Sequence, residues 1–187
     1  DMSGTADFQT NFEELNIIPM SISYEYEPCD ILKAREVVIS RKHKYVKAEG
    51  EDFNSIVTGI MQQKGNIHLN IGKQLSSEEI AEAAKCDKND RYQLIRHAVD
   101  LRVIDGYRLW NNNYIAYDLL NHSYKYSHMY EPAEIEQFVS YMHKQLDTVE
   151  PEINREDLRR IFLDIYANPV VAKELLEKEK RTGSILL

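Results

Sequence analysis

Six histidines are the side chains in this sequence with the chemistry of a general base near neutral pH. A histidine does this work best when a carboxylate orients its ring. His143 lies four residues before Asp147, which places the two one turn apart in a helix. In an amphipathic helix rich in glutamate, such a pair is more often a surface contact, and this is the interpretation that we favour. The pattern therefore identifies no catalytic residue.

The other side chains that could carry chemistry are dispersed. Cys29 and Cys86 lack a neighbour that would activate a thiol, so we interpret both as inert. The histidines are too scattered for a metal site, which needs clustered ligands. Gly65 and Gly72 do not form a glycine-rich loop that could hold a phosphate. The sequence therefore predicts no metal ion and no cofactor.

Tyrosine is the one unusual feature of the composition, because six tyrosines lie close to Trp110. Two interpretations are open: an aromatic core with hydroxyl groups at its edge, or a lipid-facing rim. We favour the core, because residues 111–113, all asparagine, and Asp118 suit the capped and solvated start of a helix. The six are Tyr107, Tyr114, Tyr117, Tyr124, Tyr126 and Tyr130.

Composition and charge exclude several classes of protein. The 187 residues are 43% hydrophobic, enough for one core and a helical extension. The net charge of −8 argues against nucleic acid as a partner. No apolar run approaches the roughly 20 residues that cross a bilayer, and no signal peptide opens the chain. Two unpaired cysteines suit a reducing compartment, so the cytoplasm is the expected location.

The segment of residues 41–47 carries the densest positive charge of the chain. It contains Arg41, Lys42, His43, Lys44 and Lys47. Such a segment could contact anionic lipid headgroups, but we interpret it as a solvated surface.

The first 75 residues alternate between strand and helix patterns. Phe8, Phe12 and Leu15 predict a short helix, and a strand follows over residues 17–26. Two helices are predicted next, one capped by Asp30 and one beginning near residue 51 with an apolar face that starts at Phe53. Residues 66–72 alternate between apolar and polar, which predicts a strand with one wet face. This order predicts a β-α-β unit with two parallel strands.

From residue 76 onward every pattern is helical. Residues 76–79, Ser-Ser-Glu-Glu, are a capping arrangement for a helix through Ala84, and a proline suits the first position of the last helix. The predicted helices cover residues 77–84, 90–104, 113–120, 132–146, 154–167 and 169–180.

Three stretches resemble a bacterial branch of the glycerolipid acyltransferases, which include the lysophosphatidic acid acyltransferases. Residues 17–25 are similar to the family's fourth block, in which an apolar pair and a proline precede a strand. Residues 67–75 resemble the closing strand, which ends in a glycine followed by a polar and an apolar residue. Residues 110–120 resemble the helical tail that some bacterial members carry.

The resemblance implies a fold, an activity and a site. The fold would be α/β and mostly helical, with about two strands left of an acyltransferase sheet in residues 1–75 and a helical extension in residues 76–187. The activity of the parent protein would be transfer of a fatty acyl group from coenzyme A or acyl carrier protein to a lysolipid hydroxyl, in phospholipid biosynthesis. Its location would be the inner face of the cell membrane, as a peripheral contact. Of the family's functional positions, Ile18 and Pro19 carry over as part of the substrate pocket.

The sequence departs from the family in its catalytic blocks. The family's base lies in His-x-x-x-x-Asp, and no histidine here has an aspartate five residues on. This block and the blocks with the phosphate-binding arginine and the Glu-Gly pair would all precede Asp1, and the first residues do not resemble a natural start. We therefore expect an inactive C-terminal piece of the enzyme. The residues found at the fifth position are Ala48, Lys73, Arg102, Ser127, Ala133 and Thr148.

A non-enzymatic alternative fits the same sequence. Residues 76–180 carry enough apolar stripes to pack a small bundle that binds a partner or regulates another protein. An unpaired strand edge left by a divided sheet could also cause self-association.

Overall fold

The computed structural model describes residues 8–182, and this part of the chain is mostly helical with a small two-stranded sheet. The described residues form two compact units. One comprises residues 8–23, 68–108 and 175–182, and the other comprises residues 24–67 and 109–174. The boundary expected at residue 75 separates the acyltransferase part of the chain from a helical extension. It depends on the family assignment and therefore stays a prediction.

The elements of the first half follow the predicted order. They are α1 (Phe8–Glu14), β1 (Met20–Tyr24), α2 (Asp30–Ser40), α3 (Glu51–Met61) and β2 (Ile67–Ile71). Gly65 enters β2 with a positive φ of 63°, and a Cβ there would lie 2.5 Å from the Glu25 carboxylate. That carboxylate accepts hydrogen bonds from the backbone and side-chain nitrogens of Asn66, at 2.9 and 2.7 Å. Glycine therefore allows the tight approach that pairs the two strands.

The two strands are antiparallel, and the predicted parallel pairing is wrong. Gly72 N donates to Pro19 O at 2.8 Å, and Glu25 N donates to Asn66 O at 2.9 Å. These bonds join the start of β1 to the end of β2, which only an antiparallel register allows. The two helices between the strands indicated a crossover connection, which joins parallel strands. Instead, the chain leaves α3 in the direction that pairs β2 antiparallel with β1.

The helices of the second half begin with well-formed caps. They are α4 (Ser77–Ala84), α5 (Lys88–Gly106), α6 (Asn111–Asn121), a 3-10 turn (Ser127–Met129), α7 (Pro132–Leu146) and α8 (Arg155–Thr182). The predicted capping arrangement of α4 is confirmed and is a capping box: Glu79 N donates to Ser76 Oγ at 3.2 Å, and Ser76 N donates to Glu79 Oε2 at 2.7 Å. Asp87 caps α5 by accepting from Asn89 N and Asp90 N.

One continuous helix replaces the two predicted around Pro169. Pro169 lies inside α8 rather than at the start of a helix. A proline in this position removes one backbone hydrogen bond. Buried residues on both sides of it, Tyr166 and Val170, hold the same apolar stripe in place. Packing therefore outweighs the local cost of the proline.

Each unit has its own apolar core. In the unit of residues 8–23, 68–108 and 175–182, Phe8, Leu75, Ile80, Ala83 and Ile95 form the core. In the unit of residues 24–67 and 109–174 the core is larger and comes from α2, α6, α7 and α8. Its largest fully buried side chains include Tyr166, Phe138, Phe162, Ile115 and Met142.

Candidate functional site

The two residues expected to line a substrate pocket lie at the entry to β1. Ile18 is 48% exposed, whereas Pro19 is buried. The carbonyl of Pro19 accepts the hydrogen bond from Gly72 N that closes this end of the sheet. Pro19 therefore fixes where the strands meet and leaves the Ile18 side chain open. Their role in a pocket stays a prediction.

An apolar surface covers one face of the sheet. The register places Met20 opposite Ile71 and Ile22 opposite Leu69. Opposite residues of an antiparallel pair share a face and contact each other. All four side chains are exposed, between 46% and 66%. We call these four residues, with Ile18, the apolar sheet face.

The other face of the sheet is polar and faces inward. Ser21 and Ser23 are buried, and Ser23 Oγ accepts a hydrogen bond from Arg108 N at 2.8 Å. A Cβ on Gly106 would lie 2.7 Å from Ser21 Oγ, so the end of α5 packs closely on this face. The usual arrangement, apolar inside and polar outside, is inverted. The wet face predicted for β2 therefore carries its apolar residues.

No histidine of the described residues lies in a base-and-carboxylate arrangement. Five are exposed, and His68 on the inner sheet face is half-buried. His143 and Asp147 are exposed at the end of α7, where Asp147 N donates to the His143 carbonyl at 3.0 Å. That bond is between backbone atoms, and it gives the ring no orientation. The five exposed residues are His43, His97, His122, His128 and His143.

One buried carboxylate lies in the helical core. Asp30 is 1% exposed, and its Oδ2 accepts hydrogen bonds from Tyr166 at 2.7 Å and Tyr141 at 2.8 Å. Its Oδ1 accepts from Ile31 N at 2.6 Å, and the Tyr166 hydroxyl in turn accepts from Glu27 N at 3.0 Å. Burial raises the pKa of Asp30 to about 6, against the opposing effect of these hydrogen bonds.

The Asp30 cluster is built for structure rather than for chemistry. Every oxygen of the carboxylate is occupied by a donor of the protein, and burial keeps substrate away from it. Burial also raises the pKa of Tyr166 well above its ordinary value. The cluster therefore joins α2, α7 and α8 through one polar centre.

A cavity of about 410 Å³ lies in the same unit, beside α6. Asp118 and His122 are among its lining residues, with Tyr130 and Arg159. Burial opposes ionisation of Asp118, but hydrogen bonds from Ser123, Tyr130 and Tyr126 N outweigh it and lower its pKa. Asp118 therefore binds the loop that follows α6 through these hydrogen bonds and does not orient the ring of His122.

Five of the six tyrosines around Trp110 are half-buried, and one is exposed. The rings of Tyr114 and Tyr117 each lie 5.1 Å from that of Tyr126, whereas Tyr124 is 86% exposed. Asn112 and Asn113 are buried, although the sequence suggested a solvated helix start. Their amides donate to Glu25 O at 2.8 Å and Tyr166 O at 2.9 Å.

Within residues 8–182, no group of three or more His, Cys, Asp or Glu side chains is placed to hold a metal ion. None of the helices described is both long and apolar enough to cross a bilayer.

Comparison with known proteins finds no match to this chain among family models, curated proteins or solved structures.

Sequence reasoning missed the two features that dominate the structure. Asp30 has the pattern of a helix cap, but that prediction is wrong: Asp30 is the first residue of α2, and Cys29 takes the cap position without a side-chain hydrogen bond. Nothing local indicates that Tyr141 and Tyr166 reach Asp30. The inverted sheet did leave a signal. Residues 20–23 alternate between apolar residues and serine, and residues 67–71 alternate between apolar residues and histidine or asparagine. Alternation defines two faces, but it does not say which one the rest of the protein covers.

Proposed function

We propose that this chain is the C-terminal part of a bacterial glycerolipid acyltransferase and that the apolar sheet face forms a wall of its acyl or acceptor pocket. The parent would move a fatty acyl group from coenzyme A or acyl carrier protein to a lysolipid hydroxyl at the inner face of the cell membrane. The observation that carries the proposal is the outward apolar face of a sheet whose serine face is buried.

The exposed side chains of the apolar sheet face support a role in which a ligand or another apolar surface covers them. Met20, Ile22, Leu69 and Ile71 expose side chains whose burial would each contribute roughly 1–2 kcal/mol at about 25 cal/mol per Å². Contiguous apolar surfaces of this kind mark binding grooves and protein contacts. A fatty acyl chain has the matching chemistry, since it offers only methylene groups for contact.

The paired strands also support the family resemblance. The stretches similar to the fourth block and to the closing strand are 42 residues or more apart in sequence, and they form hydrogen-bonded neighbours, β1 and β2. The sheet has two strands among the described residues, so each strand keeps one free edge. Earlier strands of an acyltransferase sheet could add to that edge.

The chemical step in this proposal belongs to residues that precede Asp1. Acyl transfer needs a base for the hydroxyl proton and a cationic group for the charge that develops in the transition state. This chain would contribute the wall that holds the acyl chain in place, which increases the rate by orientation.

The coding sequence upstream of Asp1 tests the proposal directly. We expect the same reading frame to continue without a stop codon into a His-x-x-x-x-Asp motif. An in-frame stop followed by a start signal just before Asp1 would overturn the proposal. It would also favour the alternative, a helical interaction module, which stays a prediction.

The protein encoded by the complete reading frame gives a second test. Replacement of Ile22 and Leu69 by aspartate should lower kcat/KM for a long-chain acyl donor by about tenfold or more, because charge is placed on the wall of the pocket. Replacement of Leu175, an equally exposed residue of α8, by aspartate should leave kcat/KM unchanged. Equal effects of the two changes would contradict a role for the sheet face.

A further inference from the structure

Helix α3 has no buried residue, although it is one of the most apolar helices of the chain. Phe53, Ile56, Val57, Ile60 and Met61 recur at the spacing of a single helical stripe. Their exposed fractions are 69%, 62%, 39%, 69% and 78%. Elsewhere in the unit of residues 24–67 and 109–174, such stripes form the core. The stripe of α3 is therefore a surface that something else must cover.

The stripe carries no charge along its length. Between Asp52 and Lys64 every residue is uncharged, and the polar ones, such as Asn54 and Thr58, are small. The uncharged stretch spans about 15 Å of helix at 1.5 Å per residue. A surface of this kind can enter an apolar medium without taking a charge with it.

Positive charge is held at both ends of α3. At its start, the segment of residues 41–47 is attached to the helix, because Tyr45 donates to Glu51 and Lys47 pairs with Asp52 at 2.5 Å. At its end, Lys64 Nζ donates to the carbonyls of Ile60 and Gln62, both at 2.9 Å. Lys47 and Lys64 therefore have fixed positions at the two ends of the apolar stripe.

The local charge is opposite in sign to that of the whole chain. Residues 41–64 contain five Lys and Arg residues against three Asp and Glu, in a chain of net charge −8. Among the described residues, Arg41, Lys42 and Lys44 are exposed and form no ion pair. Three cations without an ion pair in the segment that leads into α3 attract a negatively charged surface over a Debye length of about 8–10 Å.

We propose that α3 and the basic segment of residues 41–47 form an interfacial element that docks on a bilayer containing anionic lipid. The apolar stripe enters the boundary between headgroups and acyl chains, and the cations at its ends meet the headgroup phosphates. This reverses the interpretation of the basic segment as a merely solvated surface. It adds to the proposed location the element that would make the membrane contact. It does not depend on the acyltransferase assignment, because neither α3 nor the basic segment belongs to the stretches that resemble an acyltransferase.

Charge favours a bilayer over a second copy of the chain as the occupant. Residues 41–52, at the start of α3, carry four Lys and Arg against three Asp and Glu, and Lys64 lies at its end. Two copies that met through α3 would therefore bring net positive charge together in either orientation, and like charges at close range oppose binding. An anionic bilayer presents negative charge at both ends of the stripe and an apolar layer between them.

Cosedimentation of the 187-residue chain with vesicles tests the proposal. We expect binding to vesicles of phosphatidylcholine and phosphatidylglycerol, and at least about tenfold weaker binding to phosphatidylcholine alone. Phe53→Ser with Ile60→Ser should weaken binding to the mixed vesicles by about tenfold or more, because two side chains no longer enter the bilayer. Both residues are 69% exposed, so the fold should remain intact, which circular dichroism checks.

A matched pair of substitutions provides the control. Leu94→Ser with Leu175→Ser makes the same kind of change at exposed residues of α5 and α8, which are 45% and 56% exposed. This variant should bind as the unchanged chain does. Arg41→Gln with Lys42→Gln and Lys44→Gln should remove the preference for phosphatidylglycerol.

Three results would overturn the proposal. They are the absence of binding to either vesicle, binding that Phe53→Ser with Ile60→Ser leaves unchanged, and a dimer in solution that this variant abolishes without any vesicle binding. The last result would identify a second copy as the occupant of α3. The acyltransferase proposal is tested by the upstream reading frame, so either proposal can fail while the other stands.

Discussion

The helical core around Asp30 and the two-stranded sheet both bury polar groups, but they place their apolar side chains on opposite sides, inside in the core and outside on the sheet. In the core, a carboxylate is surrounded by apolar side chains and satisfied by Tyr141, Tyr166 and Ile31 N. In the sheet, Ser21 and Ser23 face inward while Met20 and Ile22 face outward. The helical core therefore buries its apolar side chains, and the sheet exposes them to solvent.

This difference separates residues that stabilise the fold from residues that are available for contact. Phe138, Phe162 and Tyr166 contact one another with ring centroids 5.1 to 6.3 Å apart, and all are nearly inaccessible. Substitutions on the apolar sheet face should lower the free energy of unfolding of the isolated chain less, because water already reaches about half of each side chain. Stability measurements should therefore divide the two regions sharply.

The largest expected effect is in the helical core. Phe162→Ala should lower the free energy of unfolding by about 3–5 kcal/mol, because it removes a fully buried ring and leaves a cavity. Urea denaturation followed by circular dichroism measures this. A loss below about 1 kcal/mol would show that the core is not packed around this ring.

The buried carboxylate should make the stability of the core depend on pH. The pKa of Asp30 is raised from its ordinary value to about 6, so the folded chain keeps a proton that the unfolded chain has released. Its contribution to stability is therefore full below about pH 4 and is lost as the pH rises through about 6, with a total of roughly 2–3 kcal/mol.

Asp30→Asn isolates this contribution. The amide carbonyl can still accept hydrogen bonds from Tyr141 and Tyr166, but it does not titrate. Unfolding free energies measured from pH 4 to pH 7 should decline in the unchanged chain and lose that decline in the variant. Parallel curves for the two proteins would show that Asp30 is not the source.

The hydroxyl group of Tyr166 should contribute more than that of Tyr141. It donates to Asp30 and also accepts from Glu27 N, so Tyr166→Phe leaves Glu27 N without its partner and removes one of the two phenol donors to Asp30 Oδ2. We expect a loss of about 1–3 kcal/mol. Tyr141→Phe removes one of the two phenol donors to the same oxygen and serves as the matched control, with a smaller loss. The reverse order in urea denaturation would be evidence against the cluster as described.

The smallest expected effect on stability is on the apolar sheet face. Ile22→Ser and Leu69→Ser should each lower the free energy of unfolding by about 1 kcal/mol, because only about half of each side chain is covered. The same urea curves provide the measurement. A loss as large as that of Phe162→Ala would mean that these side chains are already covered in the chain as it stands.

Much of the local structure could be predicted from the sequence. The capping box at Ser76 and the proline at the start of α7 are local signals, and both elements begin where those signals lie. Mixed, mostly helical architecture also followed from the patterns, and it is confirmed. Such features depend on residues within a few positions of each other.

The features that failed depend on contacts between distant residues. The direction of β2 relative to β1 is decided by where the chain returns after two helices, which no short pattern encodes. Pro169 signals a helix start, but the packing of Tyr166 and Val170 outweighs it. The partners of Asp30 lie 111 and 136 residues away. The sequence predicted only Ile18 and Pro19 as pocket residues, and that role stays a prediction. It did not indicate that the apolar face of the sheet is the exposed one, because this depends on the packing of the whole unit.

Thioester turnover by the purified 187-residue chain tests most directly whether it supplies a wall rather than the chemistry of an acyltransferase. Release of coenzyme A from a long-chain acyl donor in the presence of a lysolipid should stay at the level of the buffer alone. Turnover above that level, lost when one of the six histidines is replaced by alanine, would contradict the account.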